Sequence, residues 1–374
     1  MHKGTILYVG GFELPDKNAA AHRVLSNAKI FKELGYNVVF CGVNREKVNT
    51  DNAVEDIEGF VSMPLPYPIS DKQKISQAFS IDHYIGVFSK YPDIKLVVCY
   101  NLHSVSLAKL LRFCKKRNVK IVADCTEWYP NEISVNPISI VKSVNTFLRM
   151  QVYQKKCDGI IAISSYLAEY YKNTVSSIVV IPPLIDPQNE KYIFDGEKPV
   201  NDCTTLLFSG NPAVVKESLG DVVKSLGKLT DLNFKLKILG VDYKRFTEIY
   251  GNIPVCEKIE FFGSVSHEEA LKKVWESDYA LVVRPETRVT LAGFPTKFAE
   301  AISLGTPVIA TNTSDLSEYL QDGKNGFIVD INNLENDFRK ILSSNQKVTV
   351  QKDTFDYRLW IPKIQSFLDE LMSD

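Results

Sequence analysis

Lys297 and Glu300 stand three residues apart in the stretch Gly293-Phe294-Pro295-Thr296-Lys297-Phe298-Ala299-Glu300-Ala301-Ile302. That spacing puts a cation and a carboxylate on one side of a helix. Pro295 suits the first turn, where its missing N–H is one of the donors that lack a partner anyway. A helix start offers unpaired N–H groups and a partial positive charge, and Lys297 adds a full charge in the same turn. Gly293 permits close backbone approach. Donors and a cation for phosphate, with a carboxylate for hydroxyls, are the chemistry of a sugar-nucleotide site. The plainer alternative is an amphipathic helix with a surface Lys–Glu pair. Arg284 follows the apolar run Ala280-Leu281-Val282-Val283 just before this stretch and could add a second cation; a surface pair with Glu286 is its plainer role.

Other polar residues stand at strand ends, where ligands of open α/β sheets bind. Gly10 and Gly11 follow the strand Thr5–Val9 and would let a phosphate or sugar approach, or simply form a tight turn. No Gly-x-Gly-x-x-Gly follows that strand, which disfavours a nicotinamide dehydrogenase. Ile121–Tyr129 is a strand ending in Asp124, Glu127 and Trp128. Glu127 could take a proton from an acceptor hydroxyl, or serve as a structural carboxylate. His103 opens the helix after the strand Lys95–Tyr100.

The elements that must position these residues alternate strand and helix, an α/β pattern. We expect a first Rossmann-like domain over 1–185, a polar linker over 186–202, a second domain over 203–352 and a tail over 353–374. Leu359, Trp360, Ile364, Phe367 and Leu371 recur at helical spacing in that tail, suited to packing back on the first domain. Phe298, Ala301 and Ile302 form the inward face of the Lys297 helix. Gly305 can end it, and Val308-Ile309-Ala310 reads as a buried strand.

The 374 residues suffice for two domains, and 45% apolar with 24% charged residues is an ordinary globular balance. A net charge of -1 gives no support to nucleic-acid binding. The seven cysteines form no Cys-x-x-Cys pair and the five histidines lack metal-ligand spacing. With no signal-peptide pattern and no run of ~20 apolar residues, a cytoplasmic location is expected. Between His103 and Lys120 the helix carries Lys109, Arg112, Lys115, Lys116 and Arg117 and no acid. It reads as a solvated face or as a patch for anionic lipid, which leaves a peripheral contact with the inner membrane open.

Residues 292–310 resemble the C-terminal signature of retaining glycosyltransferases of family 4, whose GT-B fold sets two Rossmann-like parallel-sheet domains facing across a cleft. Many members carry two glutamates with seven residues between them before a Gly-x-Pro-Val-Ile strand. Glu300 and Gly305-Thr306-Pro307-Val308-Ile309 match, whereas the first glutamate falls at Ala292. A subgroup with Gly-Phe-Pro-Thr-Lys fits better. The resemblance implies sugar transfer from a nucleotide-sugar donor, with a UDP-sugar expected, to a glycan or lipid-linked acceptor. It implies retention of anomeric configuration without a metal or other cofactor, in surface polysaccharide synthesis.

The resemblance also implies roles. Glu300 would take the ribose hydroxyls, with Gly293, Phe294, Pro295 and Thr296 around the donor and Gly10 and Gly11 opposite. Gly210 and Lys216 match a Gly-Arg turn with a following Lys that neutralises the leaving diphosphate. Asn211 stands in the arginine's place, and Arg284 is a candidate replacement. Lys216, Lys297 and Glu127 would be catalytic. Asn18, His22 and Arg23 resemble the acceptor-side loop, and His103 and Trp128 complete the expected acceptor contacts. A nucleotide-sugar epimerase using Glu127, Asp124 and His103, and a non-catalytic binding or scaffold protein, are the competing readings.

Overall fold

A computed structural model describes residues 2–45, 54–129, 137–210, 216–344 and 346–373. The chain divides into two compact units, Met1–Leu184 with Tyr357–Asp374, and Ile185–Asp356. Residues 186–202, expected to be a linker, thus belong to the second unit.

The first unit is built on an eight-stranded sheet in the order Ser177–Val180, Gly159–Ala162, Lys120–Cys125, Ile94–Tyr100, Thr5–Gly10, Asn37–Cys41, Phe60–Ser62 and Glu55–Ile57. All neighbours are parallel except the last pair. The strands are apolar on both faces, as a sheet covered by helices on both sides requires. Tyr8, Phe12, Phe31 and Phe40 fill one side, and Ile364, Phe367 and Leu371 of the C-terminal helix Ile361–Ser373 join the same core. Each such side chain contributes about 1.5–3 kcal/mol by leaving water. Five of the seven cysteines are buried and all are free thiols; burial pushes Cys114 and Cys125 up to about 12.

The second unit holds a parallel six-stranded sheet in the order Ile259–Phe261, Phe234–Leu239, Thr204–Ser209, Tyr279–Val282, Val308–Ala310 and Gly326–Ile328. The chain winds outward from Thr204–Ser209 to one side, then returns to its other side with Tyr279–Val282. The order therefore reverses between these two strands, and the crevice beyond their carboxyl ends is where such sheets bind ligands. Ser209 and Gly210 leave one strand there, and Val283 and Arg284 leave the other. The helix Thr296–Ser303 follows in the same region, with Phe298, Ala301 and Ile302 buried and Lys297 and Glu300 half-buried. Leu304 caps it, and Gly305 turns the chain in the left-handed region at φ 74°.

Candidate active site

Three side chains distant in sequence converge beyond the switch point of the second sheet. The Lys297 amine lies 3.0 Å from Glu217 Oε1. Arg284 Nε donates to the same oxygen at 3.2 Å. Glu217 is only 5% exposed. Backbone bonds clamp the loop that carries it: Ser218 N–H donates to Val283 O at 3.0 Å, and Tyr250 O–H donates to Glu217 O at 3.4 Å. Arg284 is fixed in turn by a reciprocal pair with Thr311, whose Oγ1 accepts from Arg284 N and donates to Arg284 O, both at 2.8 Å.

Lys297 also lies over the Phe208 ring, 4.5 Å from its centroid. Its amine sits where a larger residue at 210 would intrude: a Cβ on Gly210 would come within 3.4 Å of Nζ, and Gly210 has φ 138°. Only glycine takes that backbone easily. Burial holds the Lys297 amine below its usual pKa; Glu217 opposes that shift, and the neighbouring Arg284 adds to it.

One turn along the helix, Glu300 Oε1 lies 3.1 Å from His267 Nε2. His267 opens the helix His267–Glu276, which Ser266 caps by accepting from Glu269 N at 3.1 Å. Ser209, His267, Ala270, Leu271, Lys297 and Glu300 line one narrow cavity. It thus has a cationic side and a carboxylate side, suited to a diphosphate and to vicinal hydroxyls respectively. The sequence reading did not single out Glu217 or His267. Glu217 adjoins Lys216, which was expected at the diphosphate.

Several expected donor residues have other work. The Phe294 ring is buried edge-on among Phe298, Tyr319 and Phe355, with centroids 5.6–6.0 Å away. Phe294 therefore anchors the loop, while Pro295 precedes the helix as its cap position. Gly293 has an ordinary φ of -97°, so its conformation demands no glycine. Ala292 is fully buried, in a position where a carboxylate would lose its water. Thr296 begins the helix and is half-buried, as is Lys216. Asn211 lies outside the described residues.

In the first unit, Arg23 is not presented to an acceptor. It is 4% exposed, and its Nε donates to Asp124 Oδ1 at 2.7 Å. Its Nη1 donates to Ile181 O at 2.8 Å. Asp124 is fully buried and also accepts from Tyr8 O–H at 2.5 Å. A carboxylate at the end of an apolar strand needs such a counter-charge. Arg23, expected on the acceptor side, and Asp124, weighed for acid–base chemistry on a sugar, thus form one buried pair.

Asn18 caps the helix Ala19–Glu33 by accepting from Ala21 N at 3.0 Å, and His22 pairs with Asp16. Gly10 is required by packing, because a Cβ there would fall 1.8 Å from Tyr100 O; Gly11 is exposed. Trp128 is buried edge-on against Tyr170, with centroids 5.0 Å apart. Glu127 is half-buried beside Tyr129, over whose ring Arg149 stacks at 4.5 Å. His103 is exposed at the start of the helix Ser104–Lys115.

Residues 200–352 match the family of glycosyl transferases group 1. The match spans the unit that carries the Glu217, Arg284 and Lys297 cluster, and it supports a glycosyltransferase. No curated protein matches this chain. Among solved structures, sucrose-phosphate synthase from Thermosynechococcus elongatus is similar over 99% of each chain at 14% identity and TM-score 0.71. A glycosyltransferase from Rickettsia africae is similar over 100% of each chain at 19% identity and TM-score 0.68. Anabaena HepE in complex with UDP-glucose is similar over 98% of this chain and 100% of its own, at 13% identity and TM-score 0.65. These likenesses show the GT-B fold of two Rossmann-like domains.

Proposed function

We propose that the chain moves a sugar from a nucleotide-sugar donor to a glycan or lipid-linked acceptor, with retention of configuration and without a metal. The carrying observation is the convergence of Arg284 and Lys297 on one point beside Glu300, at the switch point of the unit that matches the family. In this reading the two cations, with Lys216, neutralise the diphosphate as it leaves. Such preorganised charge acts where negative charge develops. Glu300 accepts the ribose hydroxyls. A UDP-sugar is the donor to try first, given the likeness to HepE, which was solved with UDP-glucose. The epimerase alternative loses support because Asp124 is committed to Arg23.

A lipid-linked acceptor in polysaccharide synthesis fits one surface of the first unit. The helix Pro137–Phe147 leaves Ile140, Val141, Val144 and Phe147 exposed, Val141 at 68%. Asn145 Oδ1 accepts from Ser104 N at 2.9 Å and so fixes this helix beside the basic helix Ser104–Lys115. Exposed apolar side chains on one helix, with exposed Lys109, Arg112 and Lys115 on the helix tied to it, suit an anionic bilayer surface. No helix among the described residues is long and apolar enough to cross a membrane, so we read the contact as peripheral, on the cytoplasmic face.

The test is turnover of a panel of nucleotide sugars in chelator, with lipid-linked and free glycan acceptors, followed by nuclear magnetic resonance of the product's anomeric proton. Nucleoside diphosphate release that needs the acceptor, with retained configuration, supports the reading. Release with inversion, or conversion of the sugar without an acceptor, contradicts it.

A further inference from the structure

Glu217 is a buried carboxylate with an unusual set of neighbours. Its Oε1 meets two cations, Arg284 Nε at 3.2 Å and Lys297 Nζ at 3.0 Å. Its Oε2 is buried with no hydrogen-bond partner among the described residues. A carboxylate placed only for stability would be expected to satisfy both oxygens, since an unsatisfied buried acceptor is costly. Two cations and one carboxylate leave an excess positive charge at this point. The other charged group that acts on Lys297 is Glu300 on its own helix, whose Oε1 lies 3.1 Å from His267 Nε2. Phe208, on the neighbouring strand, faces the amine with an uncharged ring.

We propose that Glu217 is a positioning residue: it holds Arg284 and Lys297 together, charged and aimed at one point before an anion arrives. The inference rests on the donor-site reading above and names the group that assembles its cationic half. Without a counter-charge, two cations this close in a poorly solvated place repel each other, and the amine relieves the repulsion by losing its proton. An uncharged lysine would no longer neutralise a diphosphate. Glu217 opposes that loss while its single charge leaves the pair net positive.

The test measures the Lys297 amine itself in the ligand-free protein. Its rate of acetylation by acetic anhydride is followed by mass spectrometry from about pH 7 to about pH 11, a range that brackets a lysine held below its usual value. In Glu217→Gln the profile should move to lower pH by about one unit, which makes the amine about tenfold more reactive on the acid side of the curve. Glu217→Asp should stay near the wild-type profile. Arg284→Gln should move it the other way, to higher pH, because a neighbouring cation has been removed. An unchanged profile in Glu217→Gln, or a shift to lower pH in Arg284→Gln, overturns the proposal. If Glu217→Gln does not fold, the Arg284→Gln profile decides. Because the readout needs no donor, it can fail separately from the sugar-transfer reading, which fails if no nucleoside diphosphate binds the wild-type protein.

Discussion

The Lys297 amine and the Glu217 carboxylate lie 3.0 Å apart at the carboxyl ends of two adjacent parallel strands. Neither residue makes a site alone. A lone buried amine in this place would tend to shed its proton, and a lone buried carboxylate would take one up. Paired, and joined by Arg284, they keep a compact positive centre in a crevice that is largely closed to water.

The opposite side of the cavity makes a separate prediction. Glu300→Gln should raise KM for a nucleotide sugar about tenfold or more, the usual loss when a charged hydrogen-bond acceptor is neutralised. Discrimination against the 2′-deoxy nucleotide should shrink at the same time if Glu300 holds the ribose hydroxyls as proposed. Steady-state kinetics with the ribose and deoxyribose donors checks both. An unchanged preference for ribose would assign Glu300 a different role.

Arg23 should matter to folding. Arg23→Met leaves Asp124 as an uncompensated buried charge, for which the expected loss is about 3–5 kcal/mol. Adding Asp124→Asn should recover part of that loss. Urea denaturation of the single and double variants measures it. A single variant as stable as the parent would show that the Arg23–Asp124 pair does not support the fold.

These two cases mark what the sequence could and could not convey. The helix carrying Lys297 and Glu300 was legible because Pro295, the apolar spacing of Phe298, Ala301 and Ile302, and Gly305 all agree locally. The strand that places Arg284 was legible as an apolar run. Glu217 was not, because its partners lie on other elements and its own segment has no periodicity. Arg23 was placed by the likeness of 18–23 to an acceptor-side loop, and its burial against Asp124 was not read. A signal was present: Asp124 ends a strand of buried residues, and a buried acid demands a cation from elsewhere. The packing of the Phe294 ring was not legible either, since an aromatic cluster assembled from 294, 298, 319 and 355 leaves no local pattern.

Lys198 supplies a pH dependence. Burial holds its amine down to about 8; Asp278 opposes this and Lys352 adds to it. Between about 8 and the ordinary lysine value near 10.4, the unfolded chain binds more protons than the folded one, so stability rises with pH across that window. Below about 8 the full penalty is present. Lys198→Met should therefore raise the melting temperature at neutral pH, and the gain should shrink as pH approaches the upper end of the window. Thermal denaturation at several pH values checks it; a gain independent of pH would remove the charge from the explanation.

The apolar and basic face of the first unit predicts binding to vesicles that contain phosphatidylglycerol and much weaker binding to phosphatidylcholine alone. Each basic residue near such a surface contributes about 1 kcal/mol, and salt weakens the contact. Val141→Glu with Val144→Glu should cut cosedimentation at least tenfold and leave turnover of a soluble acceptor intact. Equal binding to both lipids, or none, would contradict the surface assignment.

The most direct test of the central claim is a thermal-shift comparison of wild-type protein and Lys297→Ala, without divalent metal, against UDP, GDP, ADP, CMP and NAD. A ligand at about a hundred times its dissociation constant stabilises the folded state by about 2.7 kcal/mol. The account predicts that one nucleoside diphosphate raises the melting temperature of the wild-type protein, that NAD does not, and that Lys297→Ala folds but loses most of the shift. A wild-type protein that responds to none of the diphosphates, or a Lys297→Ala variant that responds equally well, would contradict it.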